Sequence, residues 1–142
     1  MLVQFSVENF KSFRDLTTFS MRATNDGRHP GHVVSNLDGV GGKSTGVLRG
    51  AAIYGANAAG KSNLVLAIEF ARRLITEGVS PNGRISTSPY RLDTSFGNRP
   101  SRFEFIFRHQ EILYSYGFAA DSRQVHEEWL FATERKHESV AV

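Results

Sequence analysis

Residues 55–62 read GANAAGKS, and this stretch decides how the rest of the chain is interpreted. It fits the pattern G-x-x-x-x-G-K-[ST], in which a glycine-rich loop holds phosphate groups through its backbone N–H groups. The residues before it, AAIY at 51–54, and the apolar run after it predict a short buried strand, the loop and then a helix. The sequence therefore predicts a nucleotide-binding site.

The positions of this loop have separate predicted roles. Gly55 and Gly60 allow the backbone to turn so tightly that successive N–H groups point at one anion, and the dipole of the following helix adds to that field. Lys61 can bridge the β- and γ-phosphates of a nucleotide, and the Ser62 hydroxyl can bind Mg²⁺. The predicted nucleotide-binding residues in the loop are Gly55, Ala56, Asn57, Ala58, Ala59, Gly60, Lys61 and Ser62.

Size and composition restrict the class of protein. The 142 residues have room for one domain, and 17 basic against 14 acidic residues give a modest formal charge of +3. Cysteine is absent, which excludes disulfides and thiolate metal sites and favours a reducing, cytoplasmic location. The sequence has no apolar run long enough to span a bilayer, so we expect no membrane partner.

The pattern along the chain predicts five segments. Alternating apolar residues at 3–7 and a second run at 16–21 indicate a β-hairpin, and alternating aromatic residues from Phe103 onward indicate a β-meander. A glycine-rich stretch separates the hairpin from the phosphate loop and is expected to be mobile. The predicted segments are a hairpin at 1–23, a mobile excursion at 24–49, a strand–loop–helix unit at 50–78, a loop at 79–100 and the meander at 101–132.

The helix predicted at 62–77 has one narrow polar stripe, which contains Glu69 and Arg73, while apolar residues cover most of its remaining surface. This pattern predicts a helix buried on most sides, with Glu69 and Arg73 as an i,i+4 pair and Gly78 just beyond its C-terminus. In the meander, aromatic residues such as Phe105, Tyr116 and Phe131 recur with period two. They could form a base-stacking platform, but such a period is typical of the buried face of a sheet, and we predict core.

The order of these segments resembles the ATP-binding heads of the ABC superfamily, in which an antiparallel β-layer precedes the phosphate-loop strand. The opening LVQFSVENFKSF at 2–13 resembles that of RecF-, SMC- and OLD-like ATPases. The stretches FSVENFKSFRDLTTFSM at 5–21, AAIYGANAAGKSNL at 51–64 and FEFIFRHQEILYSYGF at 103–118 resemble the AAA15 group of bacterial abortive-infection and phage-resistance ATPases. The resemblance implies an α/β fold, a P-loop NTPase of ABC-ATPase type whose N-terminal antiparallel β-layer and C-terminal β-meander surround one main helix.

The resemblance also implies site residues outside the phosphate loop. Asn63 would line the phosphates together with Asn57, and Lys11 and Ser12 would lie beside the bound nucleotide. Alternatively, Lys11 is a solvated lysine in a turn, and the Asn63 amide bonds to nearby backbone.

Parts of an ATPase active site are absent from the sequence. Hydrolysis in ABC-type enzymes needs an apolar strand that ends in Asp-Glu, where Asp orients Mg²⁺ and Glu activates water. Glu127 and Glu128 follow Val125-His126, not four apolar residues, and neither an LSGG-like segment nor a switch histidine is recognisable. We therefore interpret the chain as the N-terminal part of a single ABC-type ATPase domain, or a natural truncation of one, that binds ATP without significant turnover.

The resemblance implies an ATP hydrolase that uses ATP and Mg²⁺, forms a homodimer around the nucleotide and gates an effector directed at nucleic acid in phage defence. DNA, RNA or a nuclease effector are the implied partners. Two alternatives remain open at this stage: a RecF/SMC-like ATPase for DNA repair or chromosome organisation, and a non-catalytic module in which the nucleotide is only a regulatory ligand.

Overall fold

The computed structural model describes residues 1–24, 27–34, 46–79, 83–110 and 112–133. Its one long helix, α1, spans Lys61–Glu77. Single turns of 3-10 helix lie at Pro30–His32 and Thr94–Phe96. The strands are β1 Leu2–Glu8, β2 Thr17–Ser20, β3 Val33–Val34, β4 Val47–Leu48, β5 Ser101–His109, β6 Ile112–Ala120 and β7 Val125–Thr133.

The predicted hairpin and the predicted meander form one continuous antiparallel sheet. Its strand order is β2-β1-β5-β6-β7, and the pairing of β1 with β5 joins the two parts. The sequence predicted both parts but not this junction, because strand alternation reports which face is buried and not which strand is the neighbour. Mixed α/β content, an antiparallel sheet and one main helix are confirmed.

The core lies between α1 and one face of this sheet. Phe5, Phe10 and Phe103 are fully buried there. Phe70 of α1 packs against Phe10 and Phe103, with ring centroids 5.3 and 5.2 Å apart. These contacts fix the helix on the sheet, and they place its N-terminus beside the turn that follows β1.

The prediction that α1 is buried on most sides is wrong. Ala67 and Ala71 are its only buried residues, whereas Val65 is 61% exposed. The helix rests on a single sheet face, so only one stripe of its apolar surface has a neighbour among the described residues. Arg73 forms its ion pair with Glu77, one turn after Arg73 in the helix, and not with the predicted partner Glu69, one turn before it. Gly78 ends the helix with a positive φ of 69°, as predicted.

The prediction of a strand at 50–54, just before the phosphate loop, is also wrong. Residues 50–56 form no strand, and Ile53 and Tyr54 are 45% and 90% exposed. A strand needs a neighbouring strand for its backbone hydrogen bonds, and no described segment pairs with this one. The apolar residues at 50–54 predicted burial, but no described segment buries them.

The excursion predicted at 24–49 contains elements that the sequence did not predict. The 3-10 turn and strands β3 and β4 lie within its described parts, and Val47 packs against Val3 of the main sheet. Strands of two residues are too short to produce a recognisable alternation. Residues 25–26 and 35–45 of this stretch, for which mobility was predicted, lie outside the described residues.

The aromatic residues of the meander divide between the two sheet faces. Phe103 and Phe118 are buried in the core, stacked with centroids 5.1 Å apart. Trp129 lies on the opposite face, where it contacts Arg102, and Phe131 is 65% exposed on the edge strand β7. The prediction of core is therefore wrong for Phe131, because a period of two does not distinguish an edge strand from a central one.

No helix in the described part of the chain is long and apolar enough to cross a membrane.

Candidate nucleotide-binding site

Of the two glycines in the loop at 55–60, Gly60 adopts the positive φ that favours glycine, and Gly55 does not. Gly60 has a φ of 88° and precedes the first residue of α1, and its carbonyl accepts the first helical hydrogen bond from the Leu64 N–H at 3.1 Å. Ala58 also adopts a left-handed conformation, with a φ of 63°. A non-glycine residue in this region is strained, and such strain is characteristic of functional loops.

Lys61 closes the loop on itself. Its Nζ donates hydrogen bonds to the carbonyl oxygens of Gly55 and Ala56, each at 2.7 Å. The ammonium group is therefore held over the loop and is not directed freely into solvent. The N-cap residue Gly60 provides no side-chain cap, and no other described side chain caps α1, so its first N–H groups remain available to an anion.

A second loop, which we call the β1–β2 turn and define as residues 9–14, meets the phosphate loop. The N–H and carbonyl groups of Phe10 and Phe13 bond to each other at 2.9 Å, which leaves Lys11 and Ser12 at the tip of the turn. Lys11 has a positive φ of 51°, and its N–H donates to the Ser88 carbonyl at 2.6 Å. The tip is therefore fixed from both sides.

Ser12 connects this turn to the phosphate loop. Asn63 Nδ2 donates to Ser12 Oγ at 2.8 Å, and a Cβ added to Gly60 would lie 3.1 Å from the same oxygen. The sequence placed Lys11, Ser12 and Asn63 at one site by resemblance, and the structure brings Ser12, Gly60 and Asn63 together. Asn63 bonds to a side chain, not to nearby backbone as the alternative held.

The remaining predicted residues have fewer contacts. The Lys11 ammonium lies 5.8 Å from the centre of the Phe10 ring, a cation–π distance, so the cation stays at the turn. Asn57 and Ser62 are exposed, and their side chains form no hydrogen bond within the described residues. An exposed hydroxyl on the first turn of α1 is free to bind a cation or a phosphate oxygen.

Sequence reasoning missed the residue that positions the β1–β2 turn. The Asn9 amide is buried, and its Nδ2 donates to the carbonyls of Phe96 and Arg99 at 3.0 and 2.9 Å. Its Oδ1 accepts from the Tyr90 N–H at 3.0 Å. Asn9 therefore binds the loop at 88–101 to the turn that carries Lys11 and Ser12. The only sign of this role in the sequence was an asparagine at the end of a predicted strand. Its partners lie about eighty residues away, so the spacing of residues along the chain could not predict them.

The loop, the lysine and the helix N-terminus define the class of P-loop, phosphate-binding domains. Residues 51–141, more than half of the chain, match the family described as "AAA domain, putative AbiEii toxin, Type IV TA system". The chain belongs to this family and therefore carries an AAA, P-loop ATPase-like domain. AAA-type ATPases use ATP and Mg²⁺. No curated protein and no solved structure matched the chain.

Proposed function

We propose that the loop at 55–62 binds the phosphates of ATP together with Mg²⁺. The observation that carries the proposal is the position of Lys61, whose ammonium lies 2.7 Å from two loop carbonyls beside the uncapped N-terminus of α1. An incoming phosphate would exchange those two neutral acceptors for charged ones, which form stronger hydrogen bonds. Ser62 would supply the hydroxyl ligand of Mg²⁺.

The β1–β2 turn would complete the site from one side. Ser12 already bonds to Asn63, and Lys11 stands one residue away on the same tip. A nucleotide whose phosphates fill the loop would have phosphate oxygens near this tip, where the Lys11 ammonium could move from Phe10 to an anionic oxygen. In this proposal the turn orients the nucleotide, and the loop provides most of the phosphate-binding energy.

We further propose that the intact protein is an ABC-type ATPase of the AAA15 kind, which dimerises around ATP and gates an effector directed at nucleic acid. The resemblance of residues 2–21 and 51–64 supports this assignment. The family description, which names a toxin of a type IV TA system, supports a role in phage defence. A cytoplasmic location fits the absence of cysteine.

The test is ATP binding by Lys61→Ala, measured by isothermal titration calorimetry with Mg²⁺ present. Loss of a charge-assisted hydrogen bond to phosphate should weaken binding by about tenfold to a hundredfold. Arg72→Ala is the matched control, since it removes one exposed positive charge from the same helix. Equal affinity in Lys61→Ala and the wild-type protein, with helicity retained, would exclude the proposed site.

The two rival functions predict other results. A non-catalytic module would bind ATP in the full-length protein without Mg²⁺-dependent phosphate release. A DNA-maintenance ATPase would hydrolyse ATP, yet its deletion would sensitise cells to DNA damage and leave resistance to phage unchanged. The proposed defence ATPase should hydrolyse ATP and confer a resistance to phage that Lys61→Ala removes.

A further inference from the structure

Two arginines share one aromatic ring on the surface beside the β1–β2 turn. The guanidinium carbons of Arg14 and Arg99 lie 5.1 and 4.5 Å from the centre of the Phe96 ring. Phe96 itself is only 7% exposed, and Tyr90 packs against its edge at 6.1 Å. We call Arg14 and Arg99 the arginine pair. Since both guanidinium groups rest on a buried ring, their positions are fixed before any ligand arrives.

One carboxylate faces this pair. Arg14 Nη2 lies 3.3 Å from Asp93 Oδ2, whereas Arg99 forms no ion pair within the described residues. Asp93 Oδ1 is occupied by the N–H and Oγ of Ser95, at 3.0 and 2.7 Å. Those two hydrogen bonds chiefly lower the pKa of Asp93, and both arginines lower it further. The carboxylate therefore stays ionised and balances only one of the two positive charges.

The surrounding loop increases the positive charge. Residues 83–102 contain four arginines and one aspartate, an excess of +3 that equals the formal charge of the whole chain. Arg102 is turned to the other sheet face, where it pairs with Glu127 at 3.2 Å. Arg84, Arg91 and Arg99 are exposed and have no carboxylate partner within the described part of the chain. Without the paired Arg102, this loop still holds three arginines against one aspartate, an excess of +2.

We propose that the arginine pair and its loop bind the phosphate backbone of a nucleic-acid strand. A guanidinium is planar, stays charged and donates two parallel hydrogen bonds to a phosphate, so each arginine of the pair can bind one phosphate of a strand. Every basic residue of the loop is arginine and none is lysine. Phe96 is buried beneath the pair and offers little of its own surface to a peptide side chain, which favours a uniformly charged polyanion over an acidic peptide.

The proposed surface is distinct from the nucleotide site, although one turn carries both. The Asn9 N–H donates to the Arg14 carbonyl at 3.2 Å, which closes the turn that has Lys11 and Ser12 at its tip. Binding of a strand to the arginine pair requires none of the residues proposed to hold ATP. The surface can therefore be tested without nucleotide, and its failure would leave the proposed ATP site unaffected.

The experiment is fluorescence anisotropy with labelled single-stranded and duplex oligonucleotides, without ATP, between about 50 and 200 mM salt. The variants are Arg14→Gln/Arg99→Gln and, with charge retained, Arg14→Lys/Arg99→Lys. Each lost duplex phosphate contact lowers the slope of log K against log salt by about 0.9, so the Gln variant should lose nearly two. Its affinity should fall by about tenfold or more, while the Lys variant keeps the wild-type slope.

Arg72→Gln/Arg73→Gln is the matched control, since it removes the same charge from the exposed side of α1 and should leave the slope unchanged. Circular dichroism identifies variants that fail to fold. The proposal is overturned if the wild-type chain does not bind either oligonucleotide, or if the control loses as much slope as the Gln variant. It is also overturned if the Lys variant loses as much as the Gln variant, or if a polyglutamate peptide competes equally at equal charge.

Discussion

Asn9 has the most consequential side chain outside the phosphate loop. Its amide is buried and bonds to three backbone groups of the loop at 88–101, and its own φ is 50°. Asparagine adopts this left-handed conformation more readily than most residues. Asn9→Ala would remove the hydrogen bonds to the Phe96 and Arg99 carbonyls and to the Tyr90 N–H, and it would strain the backbone. We expect it to reduce the free energy of unfolding by about 2–4 kcal/mol.

Urea denaturation measures this loss as a lower midpoint at an unchanged slope. Asn98→Ala is the control, because Asn98 is exposed in the same loop and its side chain forms no hydrogen bond with another described residue. Its effect should stay within about 0.5 kcal/mol. If both variants unfold at the same urea concentration, Asn9 does not hold the loop.

Gly117 provides a second test at a single position, because it makes room for the only tryptophan. A Cβ at this position would overlap the indole ring of Trp129 and would lie 2.7 Å from the Phe103 carbonyl oxygen. Gly117→Ala must therefore displace Trp129 from Arg102 and Glu104. We expect a loss of about 1–3 kcal/mol in the free energy of unfolding, together with a red-shifted Trp129 fluorescence.

Gly97→Ala is the matched control. Its φ is −60°, which any residue adopts, and the added Cβ would meet only the Thr94 carbonyl, at 3.5 Å. This substitution should leave the fluorescence unchanged and alter stability by less than about 0.5 kcal/mol. A Gly117→Ala protein with wild-type emission and stability would show that the indole does not lie across Gly117.

At the scale of elements, the turn between β6 and β7 depends on one carboxylate. Asp121 Oδ1 accepts hydrogen bonds from the N–H groups of Arg123 and Gln124, and its Oδ2 lies 2.8 Å from His126 Nε2. The bonds from Arg123, His126 and Gln124, in that order of effect, lower the pKa of Asp121 to about 2. The ionised carboxylate thus holds the first residues of the edge strand β7.

A carboxyl group whose pKa is lower in the folded protein stabilises the fold above its unfolded pKa and loses that effect as pH falls through the folded value. We therefore expect Asp121→Asn to be less stable than the wild-type protein near neutral pH. The difference should shrink as pH falls from about 4 towards 2. Urea midpoints of both proteins across this range measure it. A difference that is independent of pH would show that charge on Asp121 does not stabilise the turn.

The elements that the sequence predicted well are those with a strong period or a capping glycine. Strand β1, the strands of the meander and helix α1 all lie where alternation or helical spacing placed them. The failures share one physical origin, which is that periodicity reports how apolar a face is and not what covers it. The apolar residues at 50–54 and Val65 are exposed because no described segment packs over them, and Phe131 is exposed because it lies on an edge strand.

At the scale of the whole molecule, the candidate site joins parts of the chain that are far apart in sequence. The GANAAGKS pattern identified the loop, and resemblance added Lys11, Ser12 and Asn63. The Ser12–Asn63 bond depends on how α1 sits on the sheet, and the role of Asn9 depends on a loop beyond residue 88. Such contacts follow from packing between distant segments. A single sequence therefore predicts the types of residue in the site but not which of them lie in contact.

The last prediction concerns turnover by these 142 residues. The loop supplies Lys61 and Ser62, but the sequence has no apolar strand ending in Asp-Glu to align an attacking water, and no LSGG-like segment. Positioning and electrostatic stabilisation provide nearly all of the catalysis in phosphoryl transfer, so a site without a water-positioning carboxylate should give almost none. We expect the chain to bind ATP and to release phosphate no faster than Lys61→Ala, in a coupled phosphate assay with Mg²⁺. A release that depends on Lys61 would mean that a carboxylate of this chain acts in catalysis. The variants Glu127→Gln and Glu128→Gln would then show which carboxylate it is. Glu127 pairs with Arg102, and Glu128 accepts a hydrogen bond from the Tyr116 hydroxyl at 2.6 Å.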